Sequence, residues 1–208
     1  MLTVIDDSDG AEFWHTKNIY SIKDNDGHEY WYQNGQLHRD DGPAIIWSDG
    51  DKRWCQNGNL HRDDGPAVVE FNGDEYWYQN GNLHREDGPA VTWSNGDKRW
   101  FQNDKLHRED GPAWVDVGGN EYWYQNDELH REDGPAVIYA DGSEWWHQNG
   151  KLHREDGPAI VEANWTKEWY IDGKYLAEEQ FNNRGDTCEG KTVVIDGKTY
   201  RLVGVKHD

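Results

Sequence analysis

Apolar and polar residues alternate along the chain in a pattern that returns every 23 residues. In one repeat, an apolar run ends at Trp47, an Asp-Gly pair follows at residues 49–50, and a second strand-like run starts at Lys52. Such a pair between two strand-like runs is typical of a two-residue hairpin turn. That turn would place Trp47 opposite Lys52 and Ile45 opposite Trp54. The pattern therefore predicts one β-hairpin in each repeat.

Each repeat also carries the phrase His-Arg-(Asp/Glu)-Asp-Gly-Pro-Ala. Its histidines are His38, His61, His84, His107, His130 and His153. A tryptophan column has the same spacing and consists of Trp31, Trp54, Trp77, Trp100, Trp123 and Trp146. The segment Gln-Asn-Gly-x-Leu before the phrase is interpreted as a polar connector with one leucine anchor. Fixed self-similarity predicts a repeat architecture, and we interpret both columns as structural.

The predicted fold is all-β: an elongated antiparallel repeat ribbon of 23-residue hairpins with degenerate caps and a small C-terminal hairpin. The array of six full repeats is expected over residues 27–170, after an N-terminal cap at residues 1–26. Residues 171–190 are expected to form a degenerate cap and a flexible segment. A separate hairpin is predicted at residues 191–208, around an Asp-Gly turn at residues 196–197.

Composition narrows the possible cores and partners. Thirteen Trp and eleven Tyr against one Met mean that aromatic rings supply much of the core. The net charge of −20 argues against bare phosphate or an anionic membrane and favours a partner with a basic surface. Cys55 and Cys188 predict neither a disulfide framework nor a zinc site. Without a secretory signal pattern or a long apolar run, we expect a cytoplasmic protein, in the host cytoplasm if it is viral.

The string Trp-Tyr-x-Asn-Gly-x-Leu-His-Arg-Glu-Asp-Gly-Pro-Ala resembles MORN-type repeats, in the variant found in large bacteriophages and giant viruses. The resemblance covers roughly residues 27–181. It implies an elongated β-scaffold for protein contacts, sometimes lipid contacts, without catalytic activity. A phage origin implies interference with a host protein. The chain departs from the family by inserting residues after Trp and by replacing a compact His-Gly-x-Gly with the longer phrase.

Neighbouring repeats alternate in charge around the Asp-Gly turns. One column runs Glu29, Lys52, Glu75, Lys98 and Glu121, and the next runs Tyr30, Arg53, Tyr76, Arg99 and Tyr122. Within one hairpin, Glu70 is expected to face Glu75. The alternation indicates either register control between repeats or a binding stripe. Trp47 and Trp93 would be the anchors of such a stripe, because Trp and Arg dominate binding hot spots.

Positions that break the repeat rule are further candidates for function. Trp114 replaces a Val/Ile residue, Trp145 flanks a column tryptophan, and Asp104 and Asp127 replace turn glycines. The predicted partner-binding residues are Trp47, Arg53, Glu70, Glu75, Trp93, Arg99, Trp114, Asp116, Glu121 and Trp145. We predict no catalytic residues, no metal ligands and no cofactor.

The favoured hypothesis is a non-enzymatic acidic repeat protein that binds another protein, for example a phage-encoded inhibitor of a host defence factor or enzyme. One alternative is a DNA mimic that inhibits a nucleic-acid-binding protein without binding nucleic acid itself. Another is a protein that sequesters a nucleotide or second messenger between Trp and Arg side chains. The sequence predicts no membrane association and leaves the oligomeric state open.

Overall fold

Hairpins of two kinds alternate along the chain. The structure is a computed structural model that describes residues 2–6, 11–16, 18–184, 192–195 and 198–201. Almost all of its regular secondary structure is β, and the predicted elongated antiparallel ribbon is confirmed. Two-residue strands dominate the repeats, and a column tryptophan separates the strand of one kind of hairpin from that of the other.

The first kind of hairpin builds one long antiparallel sheet of 16 strands, each paired with the next sheet strand along the chain. Its strands are Leu2–Asp6, Ala11–Thr16, Ile19–Lys23, Glu29–Gln33, Ile45–Ile46, Lys52–Arg53, Val68–Val69, Glu75–Tyr76, Val91–Thr92, Lys98–Arg99, Trp114–Val115, Glu121–Tyr122, Val137–Ile138, Glu144–Trp145, Ile160–Val161 and Lys167–Ile171. Each full repeat contributes two neighbouring strands. Since strands lie about 4.8 Å apart, the array grows by roughly 10 Å per repeat.

The second kind of hairpin is short and lies where we expected a polar connector. Its strand pairs are Glu29–Gln33 with Gln36–Leu37, Cys55–Gln56 with Asn59–Leu60, Tyr78–Gln79 with Asn82–Leu83, Phe101–Gln102 with Lys105–Leu106, Tyr124–Gln125 with Glu128–Leu129, His147–Gln148 with Lys151–Leu152, and Lys167–Ile171 with Lys174–Leu176. In one such turn Asn57 has a φ of 50° and Gly58 a φ of 81°. Two successive positive φ angles define the type I′ turn. The two-residue Asn-Gly hairpin therefore exists, but at this turn.

The turn at the tip of each sheet hairpin is longer than predicted. The backbone N–H of Trp47 donates to the carbonyl of Asp51 over 3.0 Å, and that of Gly50 donates to the carbonyl of Trp47 over 3.0 Å. Of the tip residues 48–50, only Gly50 has a positive φ, 104°. This is a type I turn closed by a left-handed residue, the common three-residue hairpin loop. The prediction that Trp47 faces Lys52 is therefore wrong.

The longer turn moves the register of each sheet hairpin by one residue. Ile45 pairs with Arg53, where the sequence pattern predicted Trp54. Because cross-strand partners share a face and successive residues alternate, this shift decides which side chains lie together.

The most buried residues of the array are the alanines that end each His-Arg-x-Asp-Gly-Pro-Ala phrase. Ala44, Ala67, Ala90, Ala113, Ala136 and Ala159 are all 0% exposed. The carbonyl of Ala67 accepts the backbone N–H of Trp54 over 2.7 Å, and each of the other five alanines bonds a column tryptophan in the same way. The small side chain lets the tryptophan backbone approach. The next residue of the chain, Val68 in this repeat, is buried beside it.

A short helix, Glu178–Asn183, follows the last short hairpin. It buries Phe181, whose ring centroid lies 6.5 Å from that of Trp169. The strands Thr192–Ile195 and Lys198–Arg201 pair as the predicted C-terminal hairpin. The predicted turn at residues 196–197, part of the predicted flexible segment (residues 185–190) and Cys188 lie outside the described residues. No helix within the described ranges is long and apolar enough to cross a bilayer.

Candidate functional site

The phrase His-Arg-x-Asp-Gly-Pro-Ala clamps one guanidinium group in every repeat. Arg62 lies 4.2 Å from the centroid of the Trp54 ring. It donates from Nε to Asp64 Oδ1 over 3.0 Å and from Nη1 to the carbonyl of Pro66 over 3.3 Å. The same three contacts are made by Arg39, Arg85, Arg108, Arg131 and Arg154. These arginines are occupied inside the scaffold.

The histidine column joins each repeat to the next one. His61 Nδ1 accepts the backbone N–H of Asn80 over 3.1 Å. The same bond links His38 to Asn57, His84 to Asn103, His107 to Asn126 and His130 to Asn149. An accepting Nδ1 leaves the ring hydrogen on Nε2, which in His61 faces Asp63 Oδ1 at 3.0 Å. The histidine column therefore repeats the same hydrogen bond at each of these junctions between neighbouring repeats.

Acidification is expected to destabilise the array through the clamped carboxylates. In five repeats, the hydrogen bond from the phrase arginine lowers the pKa of the carboxyl group below its ordinary value; these are Asp41, Asp87, Asp110, Asp133 and Asp156. A lowered folded-state pKa stabilises the fold at pH values above the unfolded pKa, and this contribution is lost as the pH falls through the folded value. We expect the free energy of unfolding, measured in urea, to fall as the pH drops below about 4.

Asp87→Asn is the matched control for this acid effect, because an amide does not titrate. Its loss of stability between neutral and acidic pH should be smaller than that of the parent chain. The comparison is needed because acid also reduces the net charge of −20 and with it the self-repulsion of the chain. Equal losses in both proteins would contradict the role of the clamp.

The register divides the predicted binding residues between the two faces of the sheet. Arg53 shares a face with its cross-strand partners Ile45 and Val68, and the following repeats continue this face. We call it the aromatic face and define it by Trp47, Arg53, Glu70, Tyr76, Trp93, Arg99, Trp114, Asp116, Tyr122, Tyr139, Trp145 and Glu162. Eight of the ten predicted residues lie on it, and Glu75 and Glu121 do not.

The opposite face carries the alternating lysines and glutamates. Glu75 pairs with Val69 and Thr92, so the prediction that it faces Glu70 is wrong. Glu121 likewise pairs with Val115. An uncharged residue separates each pair of charges, which places Lys and Glu two strands, roughly 10 Å, apart. Exposed charges at that distance are largely screened at physiological salt, and they stabilise the register only weakly.

Side chains of the aromatic face touch one another in sequence. Arg53 lies 4.8 Å from the centroid of Trp47, and its Nη2 is 3.5 Å from Glu70 Oε1. Arg99 lies between two rings, 4.6 Å from the centroid of Trp93 and 4.4 Å from that of Trp114. In the third sheet hairpin of the repeats, an arginine of the chain therefore fills the space between two aromatic rings, and in the first an arginine lies between one ring and a carboxylate.

Trp114 is accommodated in the Val/Ile column by three contacts. Besides lying against Arg99, it stacks on Tyr122 with ring centroids 4.4 Å apart. Its Nε1 donates to Asp97 Oδ1 over 3.0 Å. The tryptophan that stands in the Val/Ile column therefore packs against other side chains of the aromatic face.

The aromatic contacts continue into the fifth sheet hairpin without an arginine. Tyr139 lies edge-on to Tyr122 at 6.2 Å and to Trp145 at 5.2 Å between ring centroids. Trp145 Nε1 donates to Glu162 Oε1 over 3.2 Å. Desolvation by burial raises the pKa of Tyr122 and Tyr139, so both hydroxyl groups are neutral at physiological pH. The result is a half-buried strip of rings with carboxylates along it.

Asp104 and Asp127 do not belong to this strip. They occupy the left-handed position of the short type I′ turns, with φ values of 65° and 71°. Each carboxylate bonds the previous repeat: Asp104 Oδ1 accepts the backbone N–H of Leu83 over 2.7 Å, and Asp127 Oδ1 accepts that of Leu106 over 2.8 Å. These bonds offset the strain of replacing glycine, and the two residues serve repeat stacking.

One acidic cluster and one cysteine of the described residues carry metal-binding or nucleophilic side chains. Within the described residues, Asp24, Asp26 and His28 are a group whose ligand atoms lie within 4.8 Å of one another. Asp24 accepts the backbone N–H of His28, and His28 Nδ1 accepts that of Ser48 over 3.0 Å. We assign these residues to turn formation. Burial raises the pKa of the Cys55 thiol to about 11, which keeps it protonated at neutral pH.

Trp165 is absent from the residues predicted from the sequence. It occupies the hairpin-tip position that holds Gly50, Gly73, Gly96, Gly119 and Gly142 in the other repeats. Its φ of 68° is left-handed, which costs a bulky L-residue about 1–2 kcal/mol. Its side chain is nevertheless 79% exposed. Counting the 23-residue period onward from Gly142 is the signal that would have found it.

In the comparisons with known proteins, no protein-family model and no curated protein matches this chain.

Proposed function

We propose that this chain is a non-enzymatic repeat protein that binds another protein through its aromatic face. The observation that carries the proposal is the continuous series of side-chain contacts from Trp93 through Arg99, Trp114 and Tyr122 to Trp145. Its members are half-buried, so part of each ring meets solvent. Trp, Tyr and Arg that are already held in place lose little entropy on binding and dominate interface hot spots.

The dimensions of the strip suit a protein partner. Trp47 and Trp145 are about four repeats apart, which corresponds to roughly 40 Å along the array. A strip of this length needs a width of only about 20 Å to reach the roughly 800 Å² that each partner buries in a standard interface. The net charge of −20 favours a partner with a basic surface and speeds encounter with it.

The alternative of DNA mimicry is supported by the exposed carboxylates of the loops, such as Asp63 and Asp64. The five repeats of residues 50–164, however, carry 23 carboxylates and 11 Lys or Arg residues, a net charge of −12. Over roughly 50 Å of array this is about one charge per 4 Å. Duplex DNA carries one charge per roughly 1.7 Å. Because the array is less densely charged than duplex DNA, DNA mimicry ranks second. Nucleotide sequestration ranks third, because Arg53 and Arg99 already lie close to carboxylates of the chain.

Trp93→Ala is expected to weaken partner binding by at least about 30-fold, the loss typical of a hot-spot residue. The fold should persist, because Trp93 is half-buried and its ring contacts lie on the aromatic face. The measurement is calorimetric titration of the purified partner, with the unfolding midpoint of each variant recorded alongside. Trp100→Ala is the matched control: it removes the ring that Arg108 stacks on, so it should lower the midpoint.

Two outcomes would contradict this assignment. If Trp93→Ala unfolds the array as readily as Trp100→Ala, Trp93 belongs to the core and the aromatic face is not a docking surface. If binding survives the substitution, falls steeply with salt and competes with duplex DNA, the acidic loops carry the interaction and the protein is a DNA mimic. The inhibitor role and the MORN-type family rest on the sequence resemblance alone and are part of the proposal.

A further inference from the structure

Trp165 has a strained backbone conformation, and its side chain, of the largest amino-acid type, is exposed to solvent. In the last sheet hairpin, its N–H donates to the carbonyl of Glu162 over 2.8 Å, the bond that Gly50 makes to Trp47. The tip turn is thus the same as in the other hairpins, with tryptophan in the left-handed position where they use glycine. The turn gains nothing from the substitution, because glycine adopts this conformation without a steric penalty.

The indole ring of Trp165 gains no stabilisation from the rest of the array either. It is 79% exposed, and within the described residues it makes no hydrogen bond or ring contact. Two other tips also expose large apolar side chains, Phe71 at 78% and Val117 at 68%. Those two residues have ordinary negative φ values, so only Trp165 couples exposure to strain. No ring contact or side-chain hydrogen bond among the described residues compensates the strain at Trp165.

Glu162, the carboxylate next to this tip, meets a tryptophan where the equivalent carboxylate meets an arginine. Four repeats earlier, Glu70 lies 3.5 Å from the guanidinium of Arg53. At the equivalent positions in the fifth and sixth hairpins, Glu162 meets Trp145 instead, through a single bond from the indole N–H to Oε1. Glu162 and Asp141 both raise the pKa of nearby Tyr139 by their negative charge, after the larger effect of burial. The carboxylate charge at this end of the strip is therefore uncompensated by an arginine.

We infer that Trp165 is the anchor of the docking surface: it enters an apolar pocket of the partner protein whose rim carries a Lys or Arg that pairs with Glu162. The inference rests on the proposed function. It adds the chemistry of the partner's pocket and places that pocket at the Trp165 end of the aromatic face. Trp165 and Glu162 are joined by the turn hydrogen bond, and Glu162 joins Trp145, so the anchor is continuous with the aromatic face. A tryptophan beside a carboxylate matches the hot-spot pattern of a buried ring with a charged rim.

Trp165→Gly separates a binding role from a folding role, because it restores the residue that the other five tips use. We expect the unfolding midpoint to stay the same or to rise by up to about 4 °C, since the left-handed strain is relieved. A fall of more than about 3 °C would show that the indole ring stabilises the fold, and the inference would be wrong. This measurement needs no partner and is made on the full chain.

The binding arm uses biotinylated full-length protein as bait in a lysate of its native host, followed by calorimetry with the purified captured protein. Trp165→Gly should weaken that complex by at least about 30-fold. Phe71→Ser is the matched control, because it removes an exposed tip aromatic and restores the serine found at residues 48 and 94. It should change the affinity by less than about 2-fold. Glu162→Gln should bind with a shallower dependence on salt than the parent chain.

The outcomes distinguish this inference from the proposed function. A complex that depends on Trp93 but not on Trp165 leaves the aromatic face as the docking surface and removes the anchor. Equal losses in Trp165→Gly and Phe71→Ser would indicate nonspecific adhesion of exposed rings and would also overturn it. Unchanged salt dependence in Glu162→Gln overturns the basic rim. If no stoichiometric partner is captured by the parent chain, the proposed function fails and the anchor fails with it.

Discussion

Gly65→Ala lowers the free energy of unfolding by about 2 kcal/mol, because it displaces the clamped guanidinium of Arg62. A Cβ atom added at Gly65 would lie 2.6 Å from Cζ of that arginine. The side chain cannot move away without leaving the Trp54 ring and its two acceptors. The cation–π contact contributes about 0.5–2 kcal/mol and hydrogen bonds to a charged group about 1.5–3 kcal/mol. Alanine also restricts the unfolded chain more than glycine does, and this offsets about 0.4–1 kcal/mol of the loss.

The chain offers a matched control for this substitution in the last repeat. A Cβ atom at Gly157 would lie 3.2 Å from Cζ of Arg154, a gap that a small shift relieves. Gly157→Ala should therefore change the free energy of unfolding by less than about 1 kcal/mol. Urea unfolding followed by circular dichroism measures both. If the two variants lose equal stability, the glycine of the phrase is required for a reason other than the arginine above it.

Ala90→Leu is expected to cost about 3 kcal/mol of unfolding free energy, at the upper end of the usual penalty for overpacking. Ala90 is 0% exposed, and its carbonyl accepts the Trp77 backbone N–H over 2.7 Å. Three further carbon atoms at this fully buried position have no free space and would force the surrounding residues apart. A repeat array couples each unit only to its neighbours, so the damage should weaken the interfaces on both sides of this repeat.

Ala140→Leu is the corresponding control, because Ala140 lies exposed at a hairpin tip. Its unfolding free energy should stay within about 0.5 kcal/mol of the parent value. Thermal unfolding of both variants, with hydrogen exchange of the Trp77 amide, tests the packing directly. If Ala90→Leu keeps the parent stability and the parent protection of that amide, the alanine column is not the close-packed line that we describe.

The sequence by itself determined the period, the all-β class and the structural use of the His-Arg phrase. The 23-residue repetition of strand-forming runs and turn pairs is local information, and it survives folding unchanged. The sequence also contained the Asn-Gly signature of the type I′ hairpin. We assigned that turn type to Asp49-Gly50, whereas the structure has it at Asn57-Gly58. Both pairs carry a glycine with positive φ, and only the pairing across strands distinguishes them.

Tertiary structure alone decided which candidate residues lie together. Side chains alternate with a period of two along a strand, so adding one residue to the tip turn exchanges the faces. That single step separated Glu75 and Glu121 from the aromatic face and replaced the expected contact of Glu70 and Glu75. It also took the structure to show that Trp165 is strained and exposed, because φ and solvent exposure are properties of the folded turn. Its place in the glycine column was already visible in the sequence.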